Sequence, residues 1–153
     1  MSPIEIVFDK FASERFPLPT EQQLNALETR IGVTFPDDYR EFLLNFNGAY
    51  FSDPQIIPPD AACPSDGLES MFGIGATHPT VELGRVSDLV LFQDNDPPQI
   101  VPIGETCCGH LIILITHPEE RGSILLKQAS GDFFYLADGI EEFFSLLREP
   151  IDD

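Results

Sequence analysis

The sequence predicts a single α+β domain, with a largely antiparallel sheet and helices packed on one side of it. Three observations predict this fold class. The chain has 153 residues, of which 42% are hydrophobic, and this size suits one domain around one core. Amphipathic helix patterns stand early and late in the sequence. Short apolar runs with brief turns lie between them, and strands joined by short turns pair antiparallel.

Residues 1–17 are expected to form a lead-in that packs on the main domain, 18–150. A helix and a strand are equally compatible with this segment. It lacks the positive start and the long apolar stretch of a signal peptide, so we expect a cytoplasmic protein. The apolar side chains expected to pack on the domain are Ile4, Ile6, Val7 and Phe8.

The first strong helix signal begins at Thr20. Thr20 and Gln23 have the spacing of a capping box, in which each side chain accepts a hydrogen bond from the other residue's backbone N–H. Gly32 stands where a left-handed residue would end the helix. The apolar side chains between these signals recur at helical spacing: Leu24, Leu27 and Ile31.

A second helix is expected to begin at Pro36, since proline suits the first helical position. Asp37 and Asp38 then stand in the first turn, where the helix dipole favours negative charge. Asn47 and Gly48 end the helix, because both tolerate left-handed backbone angles. The apolar stripe consists of Tyr39, Phe42, Leu43 and Phe46, with the Tyr39 hydroxyl expected at the rim of the core.

The middle of the chain alternates irregular and regular segments. Ser52–Gly67 carries four prolines and is predicted to be a long loop, a feature that is often functional in a compact domain. A short strand follows near Met71–Ile74. Thr80–Phe92 has apolar residues at helical spacing behind a capping threonine. Gln93–Gln99 contains two adjacent prolines and is predicted to be a loop.

The last third of the chain is predicted to contain two hairpins. Ile100–Ile103 and Leu111–Ile115 have the length and composition of strands, and Gly104–His110 joins them as a turn. Ile124–Lys127 and Phe133–Leu136 form the second hairpin.

A final helix is predicted after Asp138, which has Glu141 three residues later in an acidic variant of the helix-start signal. Its inward side chains are expected to be Ile140, Phe143, Phe144 and Leu147. The predicted order of elements is therefore helix, helix, strand, helix, several strands, helix.

The two-helix segment resembles the SUKH superfamily. The shared pattern is a helix, a Gly-x-x-x-Pro punctuation, a helix with Tyr-x-x-Phe-Leu, and an Asn-Gly end. The matching positions are Gly32, Pro36, Tyr39, Phe42, Leu43, Asn47 and Gly48. Looser likenesses to the family's central strands and C-terminal end are Val101–Gly104, Gly109 with Leu111–Ile115, Leu136–Asp138 and Phe143-Phe144. Together they span roughly residues 18–148.

This resemblance implies a non-enzymatic binding fold. Bacterial members serve chiefly as immunity proteins that neutralise protein toxins, many of them nucleases, and a fungal branch regulates cell-wall synthesis. We therefore expect an immunity protein that binds and occludes a cognate, basic bacterial toxin. The alternative is a regulatory adaptor that binds an endogenous protein.

The charge is strongly negative and unevenly distributed. Eight basic against 26 acidic residues give a formal net charge of −18, and residues 51–120 hold eleven of the acids and one base, Arg85. Such a field repels the phosphates of nucleic acids and attracts cationic partners. Solubility alone explains an acidic bias equally well. No apolar run approaches the ~20 residues of a membrane-spanning helix, so we expect neither nucleic acid nor membrane as a direct partner.

The expected partner surface lies in the two proline-containing loops. Even spreading of the charge over about 7,700 Å² would give a face of about 800 Å² only about two negative charges, so a strong electrostatic fit needs clustered acids. Two neighbouring aromatics are expected to act as apolar anchors. The candidate partner-binding residues are Tyr50, Phe51, Asp53, Asp60, Asp66, Asp94 and Asp96.

The sequence predicts no catalytic, cofactor or metal site. Cys107, Cys108 and His110 lack the second ligand pair of a zinc site, and we expect the two cysteines to be small buried residues at a turn. Three cysteines, an odd number, argue against a disulfide framework. Asp94 and Asp96 resemble the start of a calcium loop that lacks its required glycine. A hydrolase using Cys108 and His110 is the third functional hypothesis.

Overall fold

The computed structural model describes residues 2–52, 67–75, 81–83, 100–117, 121–128 and 133–147. Within these ranges the chain forms four helices and one antiparallel sheet of seven strands, which confirms the α+β fold class. The helices are α1 (Pro3–Phe11), α2 (Glu21–Ile31), α3 (Asp37–Asn45) and α4 (Ile140–Ser145). The strands are β1 (Ala12–Arg15), β2 (Ala49–Phe51), β3 (Leu68–Met71), β4 (Ile100–Thr106), β5 (Leu111–Ile115), β6 (Ile124–Lys127) and β7 (Phe133–Ala137).

The strands lie in the sheet in the order in which they occur in the sequence. Each described strand therefore pairs antiparallel with its neighbours in the chain, and β1 and β7 form the two edges. The central pair of β4 and β5 runs from Ile100 opposite Ile115 to Glu105 opposite Leu111. Most residues of both strands are buried, so the middle of the sheet lies inside the protein.

The first seventeen residues contain both a helix and a strand, the two conformations that the sequence left open. Ser2 caps α1 by accepting a hydrogen bond from the Glu5 backbone N–H at 3.2 Å. Three of the four apolar side chains expected to pack inward are buried, but Ile6 is 42% exposed, so that expectation was wrong for Ile6. The helix packs against α4, and β1 pairs with β2.

The start and end of α2 are as the sequence predicts. Thr20 Oγ1 accepts from the Gln23 backbone N–H at 3.1 Å, and Gln23 Oε1 accepts from the Thr20 backbone N–H at 2.8 Å, which completes the capping box. Gly32 ends the helix with a φ of 75°. The three apolar side chains of the predicted stripe are buried.

The third helix differs from the prediction at its first residue and at its tyrosine. Pro36 is the N-cap and Asp37 the first helical residue, one position later than expected. The Tyr39 side chain is fully buried, so the expected position of its hydroxyl at the rim was wrong. Among the described residues, this hydroxyl has no hydrogen-bond partner. Burial raises the pKa of this hydroxyl far above its ordinary value.

An aromatic cluster joins three helices to the sheet. The ring centroid of Phe8 on α1 lies 5.9 Å from that of Phe42 on α3 and 5.9 Å from that of Phe144 on α4. The rings of Phe42 and Phe144 are 5.5 Å apart. Phe51 on β2 meets Phe8 edge-on at 5.2 Å. Because these rings come from distant parts of the sequence, their packing fixes the helices against the sheet.

Several strand boundaries differ from the predictions. β3 occupies Leu68–Met71 rather than Met71–Ile74, and β4 continues to Thr106, which shortens the following turn. The hairpin of β6 and β7 is confirmed. Of the predicted helix Thr80–Phe92, only residues 81–83 are described. The rest of it, nearly all of the Ser52–Gly67 loop and the whole of the Gln93–Gln99 segment lie outside the described ranges.

The final helix has the expected buried face and an unexpected cap. Its N-cap is Gly139, which has no side chain to offer. The carboxylate of Asp138 instead accepts a hydrogen bond from the Tyr135 hydroxyl. The Ile140 backbone N–H donates to Asp38 Oδ2 on α3 at 3.3 Å. A residue about a hundred positions earlier in the chain therefore supplies the helix-start contact that the sequence pattern assigned to Asp138.

Candidate partner-binding surface

The five aspartates predicted to form the partner surface lie outside the described residues. They are Asp53, Asp60, Asp66, Asp94 and Asp96. Their role as an acidic contact surface therefore stays a prediction. What the structure describes is the part of the domain from which their segments leave: β2 before the first segment, β3 after it, and β4 after the second.

The two predicted aromatic anchors differ in burial. Phe51 is 5% exposed and packs against Phe8 and Phe144, so it belongs to the core and does not present an apolar surface; its assignment as an anchor was wrong. Tyr50 is half-buried on β2, and its ring meets the ring of Phe16 edge-on at 5.5 Å. Alternation along the strand explains the difference, because neighbouring side chains point to opposite faces.

Asn47 joins three parts of the chain near the end of α3. Its backbone has a φ of 59°, the left-handed conformation that the sequence predicts. Its side chain makes contacts that the sequence did not reveal. The Nδ2 group donates to the carbonyl oxygens of Pro17 and Ile74 at 2.7 and 3.0 Å, and Oδ1 accepts from the Ile74 backbone N–H at 2.9 Å. The fully buried amide therefore replaces water for three backbone groups.

The glycine after Asn47 allows two backbone segments to meet. A Cβ at Gly48 would collide with the Met71 carbonyl oxygen and would lie 2.7 Å from the Gly73 nitrogen. A Cβ at Gly73 would in turn lie 2.8 Å from the Phe16 ring. The Asn-Gly pair therefore ends the helix, as the sequence predicts, and its glycine also allows the close packing of two backbone segments.

A groove lies where α1, α3 and α4 approach one another. It has a volume of about 160 Å³. Its apolar lining comes from Ile4, Phe42, Phe46 and Ile140, and its polar lining comes from Ser2, Asp38, Glu41, Asn45 and Glu141. Three of the lining residues are acidic and none is basic. The groove therefore combines an apolar floor with a negative rim.

The acids at the rim differ in what they already bind. Asp38 accepts hydrogen bonds from the Tyr39 and Ile140 backbone N–H groups. Glu41 and Glu141 are exposed and form no hydrogen bond or ion pair through their carboxylates within the part of the chain that the structure describes. Sequence reasoning missed these two residues, because their juxtaposition depends on how α3 packs against α4.

A second surface feature is the outer side of the edge strand β7. Phe133 and Tyr135 are 46% and 51% exposed at alternate positions of this strand. The Tyr135 hydroxyl donates to the Asp138 carboxylate, which raises the pKa of Tyr135 to about 12. Leu125, opposite Tyr135 on β6, is half-buried. The strand thus presents two aromatic rings at the end of the sheet.

An acidic pair lies between β3 and β4. Glu105 is partly buried, and it stands opposite Ser70, the residue after Glu69. Loss of hydration raises the pKa of the Glu105 carboxyl, and the nearby negative charge of Glu69 raises it further. Ionising Glu105 therefore costs more free energy in the folded state than in the unfolded state.

The cysteine-containing turn does not have the expected structure. Cys107 and Cys108 are both exposed, so their assignment as buried small residues was wrong. Cys108 is disulfide-bonded, whereas the odd number of cysteines argued against a disulfide framework. His110 is buried, and its backbone N–H donates to Thr106 Oγ1 at 3.1 Å.

The described residues hold no group of three or more histidine, cysteine or acidic side chains arranged to bind a metal ion. None of the helices described is both long and apolar enough to cross a membrane.

Comparisons with known proteins place the chain in a family. A sequence model of the SMI1/KNR4 family (SUKH-1) matches residues 18–146. The chain is also similar to the SPbeta prophage-derived uncharacterized protein YokK of Bacillus subtilis strain 168, with 29% identity over 161 residues, which cover 90% of this chain and 80% of that protein. The uncharacterized protein YnaB of the same strain is 50% identical over 32 residues, or 21% of this chain and 22% of that protein.

The family match covers α2, α3, the strands from β2 to β7 and α4. It includes the Gly32, Pro36, Asn47 and Gly48 positions on which the resemblance rests, and it leaves α1 and β1 outside. The chain belongs to the SMI1/KNR4 (SUKH-1) family.

Proposed function

We propose that this protein is an immunity protein that binds a cognate bacterial toxin and neutralises it by covering its active surface. The observation that carries the proposal is the family membership combined with a relative described as prophage-derived. The sequence resemblance implies a binding fold used chiefly for immunity, and a prophage-derived relative is consistent with that use.

The charge of the chain supports a basic toxin as the partner. A nuclease toxin needs positive charge around its active site to hold phosphates. A partner with a net charge of −18 would be attracted to that surface and would compete there with nucleic acid. Such long-range attraction acts mainly on the association rate, and the buried contacts then set the lifetime of the complex.

The proposed mechanism is occlusion without catalysis. The acidic loops would supply the negative surface through Asp53, Asp60, Asp66, Asp94 and Asp96, with Tyr50 as a half-buried aromatic beside the first loop. Cys108 is disulfide-bonded, so it lacks the free thiol that the hydrolase hypothesis requires of a nucleophile.

The test is a co-expression rescue. Candidate toxins are the C-terminal domains encoded next to the gene for this protein, chosen where the domain is small and basic. Expression of such a domain alone should stop growth, and co-expression of this protein should restore it. Purified proteins should form a complex in which the activity of the toxin is lost. If the protein protects against none of the active neighbouring toxins and binds an endogenous protein, the regulatory adaptor is favoured instead.

A further inference from the structure

The groove between α1, α3 and α4 is a shaped cavity that lies wholly within the described residues. Its floor is formed by buried side chains of all three helices, so the helix packing holds its shape. Its volume of about 160 Å³ suits one long side chain and is too small for a folded segment. An occupant must therefore enter as a single side chain projecting from a partner.

The chemistry of the lining selects a cationic side chain with an apolar stem. Ile4, Phe46 and Ile140 offer an apolar floor, and Glu41 and Glu141 offer carboxylates at the rim. Lysine and arginine bury their methylene stems on apolar surfaces and keep the charged head in a polar environment. Because neither glutamate has an ion-pair partner among the described residues, a bound cation would not have to displace one.

We propose that this groove receives an arginine side chain of a basic protein partner. The guanidinium group would lie between Glu41 and Glu141, and the methylene stem would lie on the apolar floor. Arginine fits better than lysine, because its planar head donates paired hydrogen bonds to carboxylates and is less strongly hydrated. Arginine is also enriched among the residues that dominate binding at interfaces. This inference rests on the proposed function for the identity of the partner.

The test uses a defined probe and needs no toxin. Acetyl-arginine methylamide is titrated into the isotope-labelled full chain, and the amide resonances are followed by NMR. The citrulline analogue serves as the neutral probe, because it has nearly the same shape without the charge. The arginine probe should shift the amide resonances of Ser2, Asn45, Phe46 and Glu141, and the shifts should reach a plateau as the probe concentration rises. The citrulline probe should not shift them.

Two variants test the carboxylates and the cavity separately. The double variant Glu41→Gln with Glu141→Gln removes both rim charges and should weaken the probe at least about fivefold, the scale of one lost charge-assisted contact. Asn45→Arg places a cation of the chain's own at the groove and should have the same effect by competition. The matched control is Glu14→Gln with Glu69→Gln, two exposed acids on β1 and β3, and it should leave probe binding within about twofold.

Two results would overturn the inference. One is a set of small chemical-shift changes spread over the acidic surface, with no larger changes at the groove. The other is an equal loss of binding in the rim variant and in the control, which would show general attraction to negative charge. The rescue assay separates this inference from the proposed function: if the rim variant loses the probe but still protects cells fully, the groove is not the toxin contact, although the immunity function stands. If the groove binds arginine but the protein protects against no toxin, the proposed function fails instead.

Discussion

Asn47 shows how one residue serves both local and long-range structure. Its left-handed backbone ends α3, which short-range sequence rules predict. Its amide also satisfies backbone groups of Pro17 and Ile74, thirty and twenty-seven positions away. Nothing in the neighbouring sequence signals those partners. The role in ending the helix would by itself give Asn47→Ala only a small cost, and the side-chain contacts imply a larger one.

We expect Asn47→Ala to destabilise the protein by about 3 kcal/mol, because it removes the partner of two buried backbone groups of Ile74 and of the partly buried Pro17 carbonyl. The measurement is the free energy of unfolding in urea. Asn47→Gly is the informative companion, since it keeps the left-handed backbone and removes the same amide. The neighbouring exposed Asn45→Ala is the control. Native-like stability of Asn47→Gly would show that only the backbone conformation matters and that the amide contacts contribute nothing.

The buried hydroxyl of Tyr39 leads to the opposite expectation. It has no hydrogen-bond partner within the part of the chain that the structure describes, and the tyrosine ring packs against those of Phe35 and Phe42. Removing an unsatisfied buried hydroxyl while keeping the ring relieves a desolvation cost. Tyr39→Phe should therefore be neutral or raise the melting temperature, whereas Tyr39→Ala should cost about 3–5 kcal/mol through the cavity that it leaves. A clear loss of stability in Tyr39→Phe would reveal a hydrogen bond to this hydroxyl.

Glu105 makes a pH-dependent contribution whose sign follows from its raised pKa. The folded state holds the Glu105 proton more tightly than the unfolded state, so the ionised carboxylate disfavours folding above the raised pKa. Glu105→Gln should increase the free energy of unfolding at pH 7, and its advantage should shrink as the pH falls through the folded-state pKa. Glu69→Gln should give a smaller gain, since it removes only the second cause. A Glu105→Gln advantage that stays constant from pH 7 to pH 3 would contradict this account.

At the level of elements, α4 depends on a side chain from α3. Gly139 cannot cap the helix, and Asp38 Oδ2 accepts from the Ile140 backbone N–H instead. The contact couples two elements that also share the aromatic cluster of Phe42 and Phe144. An acidic residue at a helix start is favourable in the dipole field whether or not it belongs to that helix.

Asp38→Ala should loosen the first turn of α4 and cost about 1 kcal/mol, the usual cost of losing a helix cap. The measurement is hydrogen exchange at the amides of Ile140 and Phe143, which should speed up more than the amides of α2. Asp37→Ala is the matched control, because it removes an adjacent exposed acid from the same turn of α3. Equal acceleration in both variants would mean that the effect comes from α3 itself and not from the shared cap.

The elements show which features a sequence can predict. The capping box of α2, its glycine end and the β6–β7 hairpin are local, and all three are confirmed. The cap of α4, the burial of Phe51 and the meeting of Glu41 with Glu141 depend on tertiary packing, which local patterns do not encode. The five loop aspartates stay predictions for a different reason, since they lie outside the described residues.

At the scale of the whole molecule, the negative charge should affect the rate of association with a partner more than it affects the stability of the fold. If Asp53, Asp60, Asp66, Asp94 and Asp96 form the proposed contact surface, changing them to Asn should leave stability nearly unchanged, because surface charges contribute little to it. The same variant should associate more slowly with the toxin identified by rescue, and the salt dependence of its association should flatten. Stopped-flow binding at two salt concentrations measures both effects.

The control removes the same number of charges elsewhere. Its five exposed acids on α1, β1, α2, α3 and β3, replaced by their amides, are Glu5, Glu14, Glu21, Asp37 and Glu69. If both variants slow association equally, net charge alone attracts the partner. If neither variant slows it, the acidic bias serves solubility and the contact lies elsewhere.

The sequential order of the strands has a consequence for how such a protein can change over evolutionary time. Because each described strand pairs with the next one in the chain, the segments after β2 and after β3 each connect two strands that are neighbours in the sheet. Lengthening or exchanging such a connection costs little, since the entropy of closing a loop grows only with the logarithm of its length. Recombination could therefore insert new segments at these connections and change which partner the protein binds. The hydrogen bonds of Asn47 and the aromatic cluster would stay unchanged.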